Sequence, residues 1–217
     1  MCRILSTALV AACVFAVLPA CEQEPPEADE LRALVARIDA ANQNADGATA
    51  TASFTEGSIA RYARRMELAL NGKRKDVEAL DAWDMSEVLR MRVRARRNDI
   101  EGLDPRAYVA FATSQGWYVQ DESLQTELRS IRVSGDTAYA TARYTDEYGG
   151  EYESEMLTFR REDGVWKLDE DSWRGTFNRL TAERAADEGV SIAEALLMMI
   201  EEETGKPNPI TVWSPMR

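Results

Sequence analysis

The chain has 217 residues, with 26 basic and 38 acidic side chains, a formal charge of −12 and no histidine. That acidity argues against a nucleic-acid surface, which needs a basic face for phosphates, and against a polybasic patch for anionic lipid. The missing imidazole excludes Ser-His-Asp triads, Cys-His pairs and His-ligated zinc or haem, so any catalysis falls to carboxylates, Lys, Tyr or an oxygen-ligated metal.

Met1 and Arg3 form a short positive start, and Ile4 to Leu18 is an uncharged run rich in Ala, Val and Leu. Its length suits the apolar region of an export signal and falls short of the roughly 20 residues that span a bilayer. The run closes on Leu18-Pro19-Ala20-Cys21, which resembles the lipobox of bacterial lipoproteins. The resemblance implies cleavage between Ala20 and Cys21, diacylglycerol on the Cys21 sulfur, and attachment of the mature chain to a membrane through that lipid. Glu22, rather than the Asp that resembles an inner-membrane retention signal, points to the outer membrane facing the periplasm. Cys2 and Cys13 leave with residues 1–20, so no thiol remains for a disulfide or a nucleophile.

Residues 21–29 are acidic and Pro-rich and read as a tether. Residues 30–54 read as a short helix, with Leu31, Leu34, Val35 and Ile38 on one stripe, followed by a small-residue linker over Gly47 to Ser53. The stripe is able to pack on the rest of the chain or on another copy. Residues 55–175 read as the main domain. Ser58 is a candidate N-cap, Ile59, Tyr62, Ala63, Met66 and Leu70 make an apolar face, and Gly72 is a stop. Asp84 with Glu87 resembles a capping box before Val88, Leu89 and Met91. Asp104-Pro105 opens a helix carrying Tyr108, Val109, Phe111 and Ala112.

After Trp117 the period changes from helical to alternating. Leu128 to Val133, Thr137 to Tyr148, Tyr152 to Arg161 and Val165 to Trp173 read as strands joined by turns at Ser134-Gly135-Asp136, Gly149-Gly150 and Glu162-Asp163-Gly164. Leu157, Phe159, Trp166 and Leu168 face inward. Residues 176–217 read as a helical extension and tail: Thr181 to Glu188 ends at Gly189, and Ser191 to Glu194 is a capping box opening a helix to Glu203. Met198-Met199 is expected to pack on the sheet.

Helices followed by an antiparallel meander and further helices make an α+β class. Ser134-Gly135-Asp136-Thr137-Ala138-Tyr139-Ala140 and Arg160-Arg161-Glu162-Asp163-Gly164-Val165-Trp166-Lys167-Leu168 resemble a strand entry and the penultimate hairpin of NTF2-like (SnoaL-like, cystatin-like) domains. The resemblance implies a cone-shaped sheet closed by helices around a pocket. It also implies a family of isomerases, dehydratases and non-catalytic binding or accessory domains. No catalytic residue carries over.

Arg90, Arg94 and Arg97 share a helix face and are candidates for an anion or an acidic partner. The competing expectation pairs them with Asp146, Glu147, Glu151, Glu153 and Glu155 of this chain. Asp169-Glu170-Asp171, with Glu162 and Asp163, lacks calcium-loop spacing, so no metal site and no cofactor is assigned. The sequence therefore predicts a lipid-anchored α+β domain that binds a small apolar ligand or docks to an envelope partner. The alternative is an isomerase- or dehydratase-type enzyme using Asp or Tyr.

Overall fold

The computed structural model describes residues 24–118, 125–145 and 151–217, so the lipobox with Cys21 and the Gly149-Gly150 turn lie outside it. It is α+β: helices α1 (Ala28–Gln43), α2 (Gly47–Ser53), α3 (Glu56–Asn71), α4 (Arg74–Val77), α5 (Ala82–Arg94), α6 (Arg97–Ile100) and α7 (Pro105–Ser114) precede four strands. These are β1 (Gln125–Ser134), β2 (Thr137–Thr145), β3 (Glu151–Glu162) and β4 (Val165–Asp169), and α8 (Asp171–Glu188) and α9 (Ile192–Thr204) follow them. The strands pair in sequence order as an antiparallel meander.

Turn chemistry sets the meander. Asp163 and Gly164 both have positive φ, 52° and 79°, which is the backbone of a two-residue turn matched to the twist of its strands. Register shifts between Arg129 and Arg132, and between Thr141 and Arg143, place irregularities on β1 and β2, and such bulges bend a strand and increase its twist.

Two apolar cores result. In one, Leu31, Leu34, Val35 and Ile38 of α1 pack on the sheet face made by Leu128, Ala138, Ala140, Ala142, Leu157, Phe159, Trp166 and Leu168. The alternating small residues of β2 let the helix approach closely. The second core is helical and joins α3, α5, α7 and α9 through Tyr62, Met66, Leu89, Met91, Tyr108, Leu196 and Ile200. Phe54 touches both. Its backbone makes a parallel bridge with Leu168, and Thr55 N–H donates to the Leu168 carbonyl at 3.0 Å.

Several local readings are corrected. Gly47 to Ser53 is a helix, not a linker: Asp46 caps it by accepting from Thr49 N–H, and its small residues pack against α7. The cap of α3 is Thr55 rather than Ser58, and that of α5 is Asp81 rather than Asp84, three residues earlier in each case. The shift is physical, because Ser58 and Asp84 are drawn into buried contacts described below. The last strand ends at Asp169 and α8 begins at Asp171, so Trp173 is helical. Met199 packs on the helical core rather than the sheet. The Asp104-Pro105 start, the Ser191 capping box and the Gly189 stop stand as the sequence predicts, and Gly205 caps α9 in the same left-handed conformation as Gly189. No helix among the described residues is long and apolar enough to cross a membrane.

Candidate functional site

Where the two cores meet, the chain leaves a cavity of about 430 Å³, within the range of small-molecule pockets. Its walls are α3, α5, α8, α7 with the turn that follows it, and the Phe54 segment, joined by Asn42 of α1 and Glu203 of α9. Aromatic rings dominate: Phe54, Trp83, Trp117, Tyr118, Trp173 and Phe177 all line it. Phe54 meets Trp173 edge-on at 6.3 Å between centroids, and Trp83 meets Phe177 at 5.1 Å. Such T-shaped pairs hold one another's orientation through their ring quadrupoles.

The polar part of the wall is a connected chain of charge. Tyr62 on α3 donates its hydroxyl to Glu170 Oε1 at 2.8 Å. Arg65, one helical turn on and 2% exposed, donates Nη1 to the same oxygen at 2.8 Å and Nε to Asp84 Oδ1 at 2.7 Å. Its guanidinium also lies 4.6 Å from the centre of the Tyr62 ring. Tyr118 approaches Tyr62 at 3.4 Å and Glu87 Oε2 at 3.3 Å. Arg90 Nη1 donates to Glu87 Oε1 at 2.8 Å, and Arg90 Nε to Glu203 Oε2 at 3.1 Å.

Glu170 sits between β4 and α8, where the chain turns from sheet to helix. Its backbone N–H donates to Ser58 Oγ at 2.9 Å, which explains why Ser58 is an interior residue and not a cap. Burial pushes its carboxyl above the ordinary range, against Arg65 and Tyr62, which pull it down. Burial likewise raises the hydroxyl pKa of Tyr62, Tyr108 and Tyr118, with Glu170 or Glu87 adding to it. Asp84 behaves oppositely: burial acts upward, but Arg174 and Arg65 hold it below its ordinary value.

Four polar atoms around the cavity are buried without a hydrogen-bond partner among the described residues: Glu170 Oε2, Arg65 Nη2, Trp83 Nε1 and Thr176 Oγ1. Glu170, Trp83 and Thr176 line the cavity directly. Buried polar groups are otherwise almost always satisfied.

The arginines singled out from the sequence are engaged within the chain. Arg90 joins the cavity wall through Glu87, and with Arg94 it clasps Glu203 of α9. Arg97 donates to Glu101 and to the carbonyls of Leu70 and Met216. Their described partners thus include Glu87, Glu101 and Glu203, the Asn71 side-chain oxygen and backbone carbonyls; the acidic strand residues proposed as partners have side chains outside the described set. Arg92 is buried and donates to the carbonyls of Leu68, Ala69, Gly72 and Val212. Asp169 is met by Arg61 and Arg160, and Asp171 by Arg61 and Arg174. No group of His, Cys, Asp or Glu among the described residues is arranged to hold a metal ion.

Sequence reasoning reached Arg90 but missed Tyr62, Arg65, Glu87, Glu170 and the aromatic walls as one site. One signal was present. Arg65 lies on the same stripe as Tyr62, Met66 and Ala69, and a charge on an apolar helix face requires a buried counter-charge. No protein-family model matches the chain, and no curated protein matches it either.

Proposed function

We propose that the protein is a lipid-anchored envelope lipoprotein, tethered through Cys21, whose folded domain binds a small ligand without transforming it. The LPAC box supports the anchor and its outer-membrane, periplasm-facing address. The aromatic cavity supports the binding role, since its own side chains leave it unfilled. A docking domain for an envelope partner needs no such space.

The NTF2-like resemblance enters as an analogy of order and of an interior pocket. The pocket is helix-walled here, and α1 fills the face of the sheet. The enzyme alternative draws on the Tyr62–Glu170 contact. It is disfavoured because burial makes Tyr62 and Tyr118 weaker acids, and no Asp lines the cavity among the described residues.

Two measurements test the reading. Cys21→Ala, or globomycin, should leave an unprocessed precursor; normal maturation removes the anchor from the proposal. Trp83, Trp117 and Trp173 border the cavity, so a ligand entering it should change intrinsic fluorescence. Thr176→Trp, which fills the space, should abolish that change.

A further inference from the structure

We infer that the ligand is an organic amine carried as a protonated N–H cation on a flat apolar body. The inference rests on the binding role proposed above and specifies the chemistry of its occupant.

Charge is the first observation. Among the described residues, Glu87, Glu170 and Glu203 line the cavity, with Arg90 as the cation beside them. Arg90 is already held by Glu87 and Glu203. Arg65, behind the wall, divides its charge between Glu170 and Asp84. Arg94 also reaches Glu203, and Arg174 shares Asp84 with Arg65. Of the described charged side chains that line the cavity itself, three are carboxylates and one a guanidinium, in a site where apolar walls weaken dielectric screening.

The second observation is independent of the first. Glu170 is 4% exposed, lines the cavity, and among the described residues keeps Oε2 without a donor while Oε1 accepts two. A buried carboxylate oxygen without a donor is costly, and a ligand N–H is the group that completes it. An anion meets repulsion there, and a neutral apolar molecule leaves the oxygen unsatisfied.

The walls fit the rest of such a molecule. Trp83, Trp173 and Tyr118 offer flat rings, and aromatic faces attract cations as well as apolar surface. Trp83 Nε1, a donor without a partner among the described residues, and Thr176 Oγ1 add places for an acceptor on the ligand body.

The test uses the mature chain and three probes of nearly equal shape, phenylbutylammonium, phenylbutanol and phenylbutanoate, measured by isothermal titration calorimetry. The ammonium should bind tighter than the alcohol by about tenfold, the worth of one charge-assisted hydrogen bond, and the carboxylate weakest of all. Glu170→Gln should erase the preference for the ammonium. Because Glu170 also anchors Arg65, Leu180→Arg serves as a variant that leaves the core intact, since Leu180 is half exposed at the rim of the cavity. It should weaken the ammonium and strengthen the carboxylate. Equal binding of ammonium and alcohol, or tighter binding of the carboxylate, overturns the inference and leaves the binding role standing. Failure of all three probes overturns both.

Discussion

Arg65 shows how much a single side chain carries. It is among the largest fully buried side chains of the fold and answers two carboxylates, one 19 and one 105 positions along the chain. Removing one partner of a buried pair strands the other charge, typically at about 3–5 kcal/mol, whereas removing both often costs little. Arg65→Met should therefore destabilise the protein strongly, and Arg65→Met with Glu170→Gln should recover part of the loss. Chemical denaturation of the four corners of that cycle measures it, and additive losses would contradict the coupling. Arg92 is the neutral-partner counterpart. It closes buried carbonyls at the end of α3, and Arg92→Met should cost about 2–4 kcal/mol because the Ala69 and Gly72 acceptors lose their donor while Leu68 keeps only the Gly72 N–H.

Titration follows from the same residues. Asp84 and Asp169 lie below their ordinary value of 3.8, so they add stability above it and lose it as pH falls through their folded values. Glu170 lies above its ordinary value of 4.5, so the folded state holds its proton more tightly than the unfolded chain. Its contribution is present below that value and is lost as pH rises through the folded one. Urea midpoints between about pH 2 and pH 7 should climb out of the acid limb and then lose a component that Glu170→Gln removes. A descending component that survives in the variant would assign it elsewhere.

Among the elements, α2 teaches the most about what a sequence conceals. Gly47-Ala48-Thr49-Ala50-Thr51-Ala52-Ser53 has the composition of a linker. It folds because Asp46 caps it and because small side chains let it lie against α7. A Cβ built on Gly47 would overlap the backbone carbonyl of Ala110. Gly47→Ala should force the two helices apart and cost about 1–3 kcal/mol, despite the better helix propensity of alanine. A gain in thermal midpoint would show that the approach is not tight. Caps were legible where the side chain had no better use, as at Asp104 and Ser191. They were displaced where a polar residue was wanted inside, as at Ser58 and Asp84.

For the whole molecule, the sheet was legible because alternation and Gly turns are local signals. The packing of α1 across its face was not, since the stripe of Leu31, Leu34, Val35 and Ile38 is equally suited to another partner. That helix supplies Ala28, Leu31, Leu34, Val35 and Ile38 to the sheet's core. Leu31→Ala or Leu34→Ala should each cost about 2–5 kcal/mol, and a chain beginning at Thr55 should expose the sheet and aggregate. Recovery of a folded, soluble fragment by size-exclusion chromatography and circular dichroism would show that α1 is dispensable. The cavity was illegible for a different reason. Glu87 and Glu170 read as a capping residue and as part of an acidic run, and only the tertiary fold turns both inward.

The Arg65–Glu170 pair spans 105 positions of the chain. Contacts that close so large a loop form late, because the entropy of closure must be met before the contact rewards it. A chain emerging from its N-terminus thus presents Arg65 and Asp84 long before Glu170 exists to complete them. Early helices stay incomplete until the final third of the sequence arrives. Were the chain exported behind its signal as proposed, that order of closure would let it pass a membrane before Glu170 completes the pocket wall.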